Sequence, residues 1–305
     1  MNRSPALVIG KLAETLGFIV EHPLNRGRKV RALVEFVRWQ VGSRLVSGPV
    51  VYPWVNGSRM IVHSGEDGLT GNIYCGLHEF AEMAYLLHVI TPDDLFVDVG
   101  ANVGAYTILA CAAKGARGCC LEPVPSTFAR LLDTLSINRL SGRVEALNVG
   151  ASDAEGELWF TSDENCTNHV VPEGEPRDGA VQVKVLPLDA VLANRRPAVL
   201  KIDVEGFETF VLAGANATLS QPTLHSVIME LNGSVARYGL GEHAILKTMA
   251  GHGFEACGYE PFSRTLTPLG DARSKSNNTV FVRDIPLAER LLKSSPPLKV
   301  GRVWL

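Results

Sequence analysis

The stretch that most constrains the fold lies at residues 94–107, where a short apolar run meets a turn that contains glycines. The run, Leu95-Phe-Val-Asp-Val99, has the composition of a strand buried on both faces. The turn reads Asp98-x-Gly100-x-Asn102-x-Gly104, and a helix is predicted over residues 105–114. A strand, a glycine turn and a helix N-terminus hold anionic or zwitterionic ligands in α/β proteins. The sequence therefore predicts an α/β domain with a ligand site at this turn.

The composition of the turn distinguishes between classes of ligand. It differs from the Gly-x-Gly-x-x-Gly fingerprint of dinucleotide-binding proteins. Gly100 and Gly104 are expected to let the backbone approach the ligand, and Asn102 is the kind of residue that tolerates a left-handed conformation. A leading Asp98 and a shifted last glycine suit a ligand with an amino-acid head better than a pyrophosphate. These features indicate S-adenosylmethionine.

A second acid supports the same ligand. Residues 118–123, Gly-Cys-Cys-Leu-Glu-Pro, are predicted to form the next parallel strand, with Glu122 at its C-terminal end. An acid in this position accepts hydrogen bonds from the ribose hydroxyls of a bound adenosine. Each motif is common by itself, but the two together at βαβ spacing indicate an adenosine-containing ligand.

Composition excludes several classes of protein. With 305 residues, 46% of them hydrophobic and 20% charged, the chain is expected to be globular, with one large α/β domain and an accessory segment. A net charge of −3 gives no reason to expect a nucleic-acid partner. Lys11 and Glu14 interrupt the apolar N-terminal stretch before a signal-peptide core is complete. Six cysteines without a Cys-x-x-Cys pair are expected to be reduced and buried. We therefore expect a cytoplasmic enzyme, and the sequence leaves its oligomeric state open.

Residues 1–75 are predicted to form the accessory segment. Its first 46 residues look helical and basic, with an apolar set of Val30, Leu33, Val34, Val37 and Val41 near helical period. We expect this set to pack on the domain and the basic residues to stay solvated; contact with an anionic membrane is the alternative. Asn-Gly at 56–57, between two apolar runs, predicts a hairpin over residues 50–63.

Alternating strands and helices predict a main domain over residues 76–285, followed by a Pro-broken tail at 286–305. Further strands are expected at 144–149, 156–160, 180–185, 198–204 and 224–231, and a closing antiparallel pair at 254–259 and 279–283. The polar loop 161–179, which contains Asn168 and His169, is long for a compact domain. It is either a substrate lid or a disordered connection.

Several polar side chains fall where predicted parallel strands end, which is where α/β sheets bind ligands. Asp203 is the first candidate for a catalytic base or for a group that holds the acceptor, and Glu230 and His169 are further candidates. Asn168, His169 and Asn232 are candidate substrate-binding residues. Glu205 is interpreted as a charge at a helix N-terminus. Asp203, Glu230 and Asn232 could instead hold a Mg²⁺-like cation, which we do not expect.

Four motifs together resemble the FkbM-type methyltransferases. They are Val97-Asp-Val-Gly-Ala-Asn-Val-Gly104, Leu121-Glu-Pro123, Leu200-Lys-Ile-Asp-Val-Glu-Gly206 and Met229-Glu230, and the resemblance runs from about residue 76 to 283. It implies a class I, Rossmann-like methyltransferase fold, with a seven-stranded, mostly parallel sheet and one antiparallel strand. It also implies methylation by S-adenosylmethionine of a hydroxyl on a sugar, glycan or secondary metabolite.

The resemblance also assigns residues to the cofactor. Residues 100–104, including Ala101 and Asn102, would hold its methionine part beside Asp98 and Asp203. Glu122 would take the ribose, and Ser152 and Asp153 would flank the adenine. Two other functions remain as alternatives. An NAD-dependent oxidoreductase is disfavoured because the dinucleotide fingerprint is missing, and a non-catalytic domain is disfavoured because Asp98, Glu122 and Asp203 are intact.

Overall fold

A computed structural model of the chain describes residues 5–162 and 167–305. The strands, numbered along the chain, are β1 (Val50–Pro53), β2 (Arg59–Val62), β3 (Leu95–Val99), β4 (Arg117–Leu121), β5 (Val144–Leu147), β6 (Gly150–Ser152), β7 (Gly156–Phe160), β8 (Val181–Pro187), β9 (Val199–Ile202), β10 (Ser226–Glu230), β11 (Glu255–Glu260), β12 (Thr265–Pro268), β13 (Asn278–Val282), β14 (Lys299–Val300) and β15 (Val303–Trp304). The helices are α1 (Pro5–Glu21), α2 (Lys29–Leu45), α3 (Asp67–Cys75), α4 (Phe80–Val89), α5 (Ala105–Thr107, continued by a π-helix at Ile108–Ala113), α6 (Pro125–Ile137), α7 (Leu188–Leu192), α8 (Glu208–Ala213), α9 (Asn216–Leu219), α10 (Glu242–Gly251) and α11 (Ile285–Ser294).

The large central sheet has the order β12-β11-β13-β10-β9-β3-β4-β5. Strands β10, β9, β3, β4 and β5 are parallel, and β13 lies antiparallel between β10 and β11. The α/β fold with a mostly parallel sheet is therefore confirmed, as is the closing antiparallel pair. Strand β12 adds an eighth strand at the edge that the sequence did not predict, because in Thr-Leu-Thr-Pro only Leu266 is buried.

Strand β3 lies at the centre of this sheet because its side chains pack on both faces. Phe96 belongs to the apolar core on the side of α4, whereas Val97 and Val99 belong to the core on the side of α8 and α10. The carboxyl ends of β3, β4 and β9 therefore lie together at one edge of a sheet that is packed on both faces.

Helix α2 presents to solvent the side that the sequence predicts to be buried. Val30, Val34, Val37 and Val41 are exposed, and Leu33 is only half-buried. The side that packs on the protein instead carries Ala32, Phe36, Trp39 and Ser43, beside Tyr74 of α3. The rings of Phe36 and Trp39 bury more apolar area than valines, so they decide which side faces inward. The predicted packing of the valines is wrong.

The flanking segments are otherwise ordered parts of the fold. The hairpin β1–β2 pairs Val50 with Val62 and Pro53 with Arg59, with Asn56 in a left-handed conformation, as its Asn-Gly turn predicts. Beyond residue 285, where the sequence predicts only a tail, α11 packs on α4 and buries Ala288 and Leu292. Cys75, Cys111, Cys119, Cys120 and Cys257 are free and buried as expected; Cys166 lies outside the described residues. Within the described ranges no helix is long and apolar enough to cross a bilayer.

Candidate active site

A cavity of about 380 Å³ lies at the carboxyl ends of β3, β4, β9 and β10. This volume lies within the range of small-molecule pockets. Predicted site residues that line the cavity are Asp98, Gly100, Ala101, Asn102, Glu122, Asn168, Asp203, Glu230 and Asn232. The fold therefore brings together side chains that are more than 130 residues apart in the sequence.

The turn after β3 adopts the conformations that its sequence predicts, but one reason differs. Gly100, Asn102 and Gly104 all have positive φ angles, of 79°, 50° and 90°. A Cβ at Gly100 would lie 1.9 Å from the carbonyl oxygen of Asp203, and one at Gly104 would lie 2.7 Å from Leu131 Cδ1. The glycines thus let the turn pack against β9 and α6, rather than only leaving room for a ligand.

Asp98 stabilises the turn through a hydrogen bond to the helix that follows it. Its side chain is buried, and Oδ2 accepts a hydrogen bond of 2.6 Å from the hydroxyl of Thr107 in α5. Burial raises the pKa of Asp98 to about 6, although the bond from Thr107 opposes this shift. Asp98 therefore fixes the start of the helix relative to the strand, and it also borders the cavity.

Glu122 closes the opposite side of the turn. Its Oε2 accepts a 2.9 Å hydrogen bond from the backbone N–H of Asn102, and its Oε1 accepts one of 2.9 Å from that of Val124. Burial raises the pKa of Glu122 to about 7 despite these two donors. A buried carboxyl at the end of β4, bordering the cavity, suits the ribose hydroxyls of an adenosine, since both can donate to its oxygens.

A fully buried lysine links the cavity to the sheet. Lys201 Nζ lies 2.8 Å from Asp203 Oδ2 and donates a 3.0 Å hydrogen bond to Asn278 Oδ1. Asn278 in turn donates a 2.5 Å bond to Glu79 Oε1, at the start of α4. Burial opposes the charge on Lys201, but Asp203 and Glu79 outweigh it and hold the lysine pKa above its ordinary value. The cation therefore neutralises one of the acids at this end of the cavity.

Three carboxylates meet beside this lysine. Asp203, Glu205 and Glu230 each place an oxygen within 4.8 Å of the others. Burial and the neighbouring charge of Asp203 raise the pKa of Glu205 to about 7. Burial, Asp203 and Glu205 raise the pKa of Glu230 well above its usual range. Near neutral pH, Glu230 therefore carries a proton, and Glu205 exchanges one readily.

Glu205 has a different position from the one that the sequence predicts. Its backbone is left-handed, with φ of 55°, and its side chain borders the cavity. The stabilising carboxylate at the start of α8 belongs to Glu208, whose Oε1 accepts 3.2 Å bonds from the N–H groups of Val204 and Gly206. The interpretation of Glu205 as the helix N-terminal charge is therefore corrected. A strained, non-glycine backbone beside a cavity is a feature of functional sites.

The loop 161–179 is anchored near its middle. Val170 pairs with Phe160 and is buried, and its carbonyl accepts a 2.8 Å bond from the hydroxyl of Tyr238. Asn168 and Val170 line the cavity, whereas His169 does not: its Nδ1 lies 3.0 Å from the carbonyl oxygen of Thr167. Residues 163–166 of this loop lie outside the described residues.

Ser152 and Asp153 also lie outside the cavity lining. Strand β5 ends at Leu147, so residues 150–152 form β6 and pair with β8 instead of turning under a ligand. Ser152 is buried against Gly214, where a Cβ would lie 2.0 Å from the serine carbonyl oxygen. The cavity is bordered instead by Val149, Gly150 and Ala151.

Sequence reasoning overlooked Lys201 and Glu79. Lys201 interrupts the apolar run of β9, and a lysine inside a central strand is costly unless it is paired. That signal is visible in the sequence. Glu79 joins the site only through the packing of α4 beside Asn278, and nothing in the local sequence reveals this contact.

Comparisons with known proteins find methyltransferases among the relatives of this chain. The family model described as the methyltransferase FkbM domain matches residues 98–261. A hexuronic acid methyltransferase, AglP, from Haloferax volcanii is 32% identical over 155 residues, which cover 49% of this chain and 61% of that protein. A 31-O-demethyl-FK506 methyltransferase, FkbM, from Streptomyces tacrolimicus is 27% identical over 209 residues, 57% of this chain and 78% of that protein. A crystal structure of methyltransferase FkbM from Methylobacillus flagellatus has a TM-score of 0.44 and 16% identity, over 70% of this chain and 52% of that one. The chain thus spans about three fifths of the Haloferax protein and half of the Methylobacillus one.

Proposed function

The chain belongs to the FkbM methyltransferase family, and we propose that it transfers a methyl group from S-adenosylmethionine to a hydroxyl of a sugar, glycan or related metabolite. The observation that carries this proposal is the continuity of one cavity. It runs from the turn after β3, past Glu122, to the carboxylates of Asp203, Glu205 and Glu230.

The residues present fit the cofactor. The buried Glu122 carboxyl suits the ribose, and the backbone of residues 100–104 suits the amino-acid part. Carboxylates around the cavity favour a ligand that carries an ammonium and a sulfonium cation. When bound, the cofactor supplies an electrophilic methyl group.

The chain's own contribution to the reaction is to orient the acceptor and remove its proton. Because a hydroxyl must lose its proton when it is methylated, a base is needed at this end of the cavity. Glu205, with a pKa near neutrality, is the base we propose. Asp203 is held by Lys201 and serves to position the acceptor, and Glu230, being protonated, can donate a hydrogen bond to an acceptor oxygen.

The polar lining and the relatives support this acceptor class. Asn168 and Asn232 border the cavity with the carboxylates, which suits a polyhydroxylated molecule. The Haloferax relative is a hexuronic acid methyltransferase, so uronic acids and their glycosides are the first acceptors to test.

Incubation of the purified chain with S-adenosylmethionine and a panel of uronic acids, glycosides and hydroxylated secondary metabolites tests the proposal. We expect a product heavier by one methylene unit, with the methyl group on oxygen, and we expect its formation to survive EDTA because Lys201 already neutralises Asp203. Methylation of nitrogen or carbon, or a loss with EDTA that Mg²⁺ restores, would contradict this mechanism.

A further inference from the structure

Helix α2 carries a continuous apolar stripe on its solvent side. Val30, Val34, Val37, Val41 and Leu45 have exposed fractions of 78%, 51%, 55%, 54% and 80%. Their spacing of three or four residues places them in one line along the helix, on the side opposite Phe36 and Trp39. Five aligned aliphatic side chains over four turns differ from the isolated exposed apolar residues that are normal on protein surfaces.

Basic side chains flank this stripe. Lys29, Arg31, Arg38 and Arg44 are all exposed, and Glu35 is the only acidic residue in the helix. By helical spacing, Arg31 and Arg38 lie on one side of the stripe, and Lys29 and Arg44 on the other. At the start of the helix, an open groove lined by residues 27–31 and Val34 contains both apolar and basic side chains.

The basic charge is local to this part of the molecule. The first 46 residues hold eight basic and three acidic residues, whereas the whole chain has a net charge of −3. The rest of the chain is therefore acidic on balance. The apolar stripe lies between cations on an otherwise acidic protein. Such an arrangement complements a partner surface whose outer layer is anionic and whose interior is apolar.

We propose that the apolar stripe and its flanking cations form a docking surface for an anionic lipid bilayer, with α2 lying in the plane of the interface. A second copy of the chain fits less well, because a two-fold contact through α2 would bring the basic residues that flank the stripe close to those of the other copy. Helix α2 packs on α3, whose Leu69 borders the cavity, so docking would hold the candidate active site near the membrane surface.

Flotation of the full chain with lipid vesicles tests the apolar part of the proposal. We expect the protein to float with phosphatidylserine-containing vesicles, and much less with pure phosphatidylcholine. Val34→Asp with Val37→Asp should abolish flotation while thermal unfolding stays cooperative. The matched control is Leu132→Asp, which places the same charge on an exposed leucine of α6 and should float like the wild type.

A second pair of variants tests the charges. Arg38→Glu with Arg44→Glu should lower vesicle affinity at least about tenfold, and Arg290→Glu with Arg302→Glu, also exposed, should not. Equal flotation with neutral and anionic vesicles, or no effect of the α2 variants, would overturn the proposal. So would light scattering that shows a dimer which the Val34 and Val37 changes convert to monomer, with no vesicle binding by the wild type.

Discussion

Glu205 is the side chain whose environment explains most of the proposed chemistry. It is held in a left-handed backbone beside Gly206, where a Cβ would lie 2.6 Å from the carbonyl oxygen of Ser234. Such packing leaves the local chain little freedom to move the carboxylate away from Asp203 and Glu230. The crowding of negative charge that raises its pKa is therefore a property of the fold.

Replacing Glu205 by Gln should lower kcat by about 100-fold, because general-base catalysis contributes on this scale. In the wild type, kcat should rise with pH through about 7, as Glu205 loses its proton. Steady-state kinetics as a function of pH check both expectations. In Glu205→Gln the step near pH 7 should disappear, while the affinity for S-adenosylhomocysteine stays within about twofold. If Glu205→Gln kept the wild-type dependence of kcat on pH, the catalytic base would be another residue.

At the scale of elements, the connection between β7 and β8 borders the cavity through Asn168 and Val170. For residues 161–179 the sequence predicts either a lid that orders when acceptor binds or a disordered connection. The structure holds part of this segment in place: Val171 donates a 2.7 Å bond to the carbonyl of Trp159, and Thr161 donates a 3.0 Å bond to that of His169. Whether the segment closes over an acceptor stays a prediction, but Asn168 already faces the cavity.

Asn168→Ala should raise the KM for acceptor roughly tenfold, which corresponds to the loss of about one hydrogen bond. The affinity for cofactor should change little. His169→Ala is a matched control, since it alters the adjacent residue, which does not line the cavity. Acceptor kinetics and calorimetry with S-adenosylhomocysteine measure the two effects. An equal rise of the acceptor KM in both variants would indicate that Asn168 does not contact the acceptor and that both changes only disturb the structure of the segment.

The elements differ in how far their sequence determines them. The β3 turn was predictable because Asn102 and its flanking glycines report a local backbone requirement. The orientation of α2 was not, because two apolar stripes share one helical period and only tertiary packing selects between them. Likewise, the sequence allows either Glu205 or Glu208 to stabilise the N-terminus of α8. Only the left-handed turn at Glu205 and Gly206 leaves Glu208 in that role and places Glu205 at the cavity.

For the whole molecule, buried ionisable groups set the pH at which the fold is most stable. Folding raises the pKa of Glu122 and Glu208 to about 7, so their contribution to stability is complete below about pH 4.5 and is lost as the pH rises through 7. Folding lowers the pKa of His22 and His88 to about 4, so their contribution is lost as the pH falls from 6.5 to 4. These two effects nearly cancel between about pH 4.5 and 6.5, so the stability set by these four groups should be greatest in that range and should fall as the pH rises further through 7.

Glu230→Gln should flatten the loss of stability above this optimum. The variant keeps the shape of a protonated Glu230 but has no proton to lose, so it should be more stable than the wild type at pH 8 by at least about 1 kcal/mol. Thermal unfolding between pH 5 and pH 9 measures this, with Glu255→Gln, an exposed change on β11, as the control. Parallel curves for Glu230→Gln and wild type would show that Glu230 is already ionised in the folded protein.

Calorimetry with S-adenosylhomocysteine and NAD measures whether the cavity binds the cofactor through the β3 turn and Glu122. We expect binding of S-adenosylhomocysteine and none of NAD. Glu122→Ala should weaken binding by about 1.5–3 kcal/mol, as expected for hydrogen bonds to a charged group. Asp153→Ala, outside the cavity lining, should leave it unchanged. Binding of NAD, or an unchanged affinity for S-adenosylhomocysteine in Glu122→Ala, would show that the cavity does not bind the cofactor in this way.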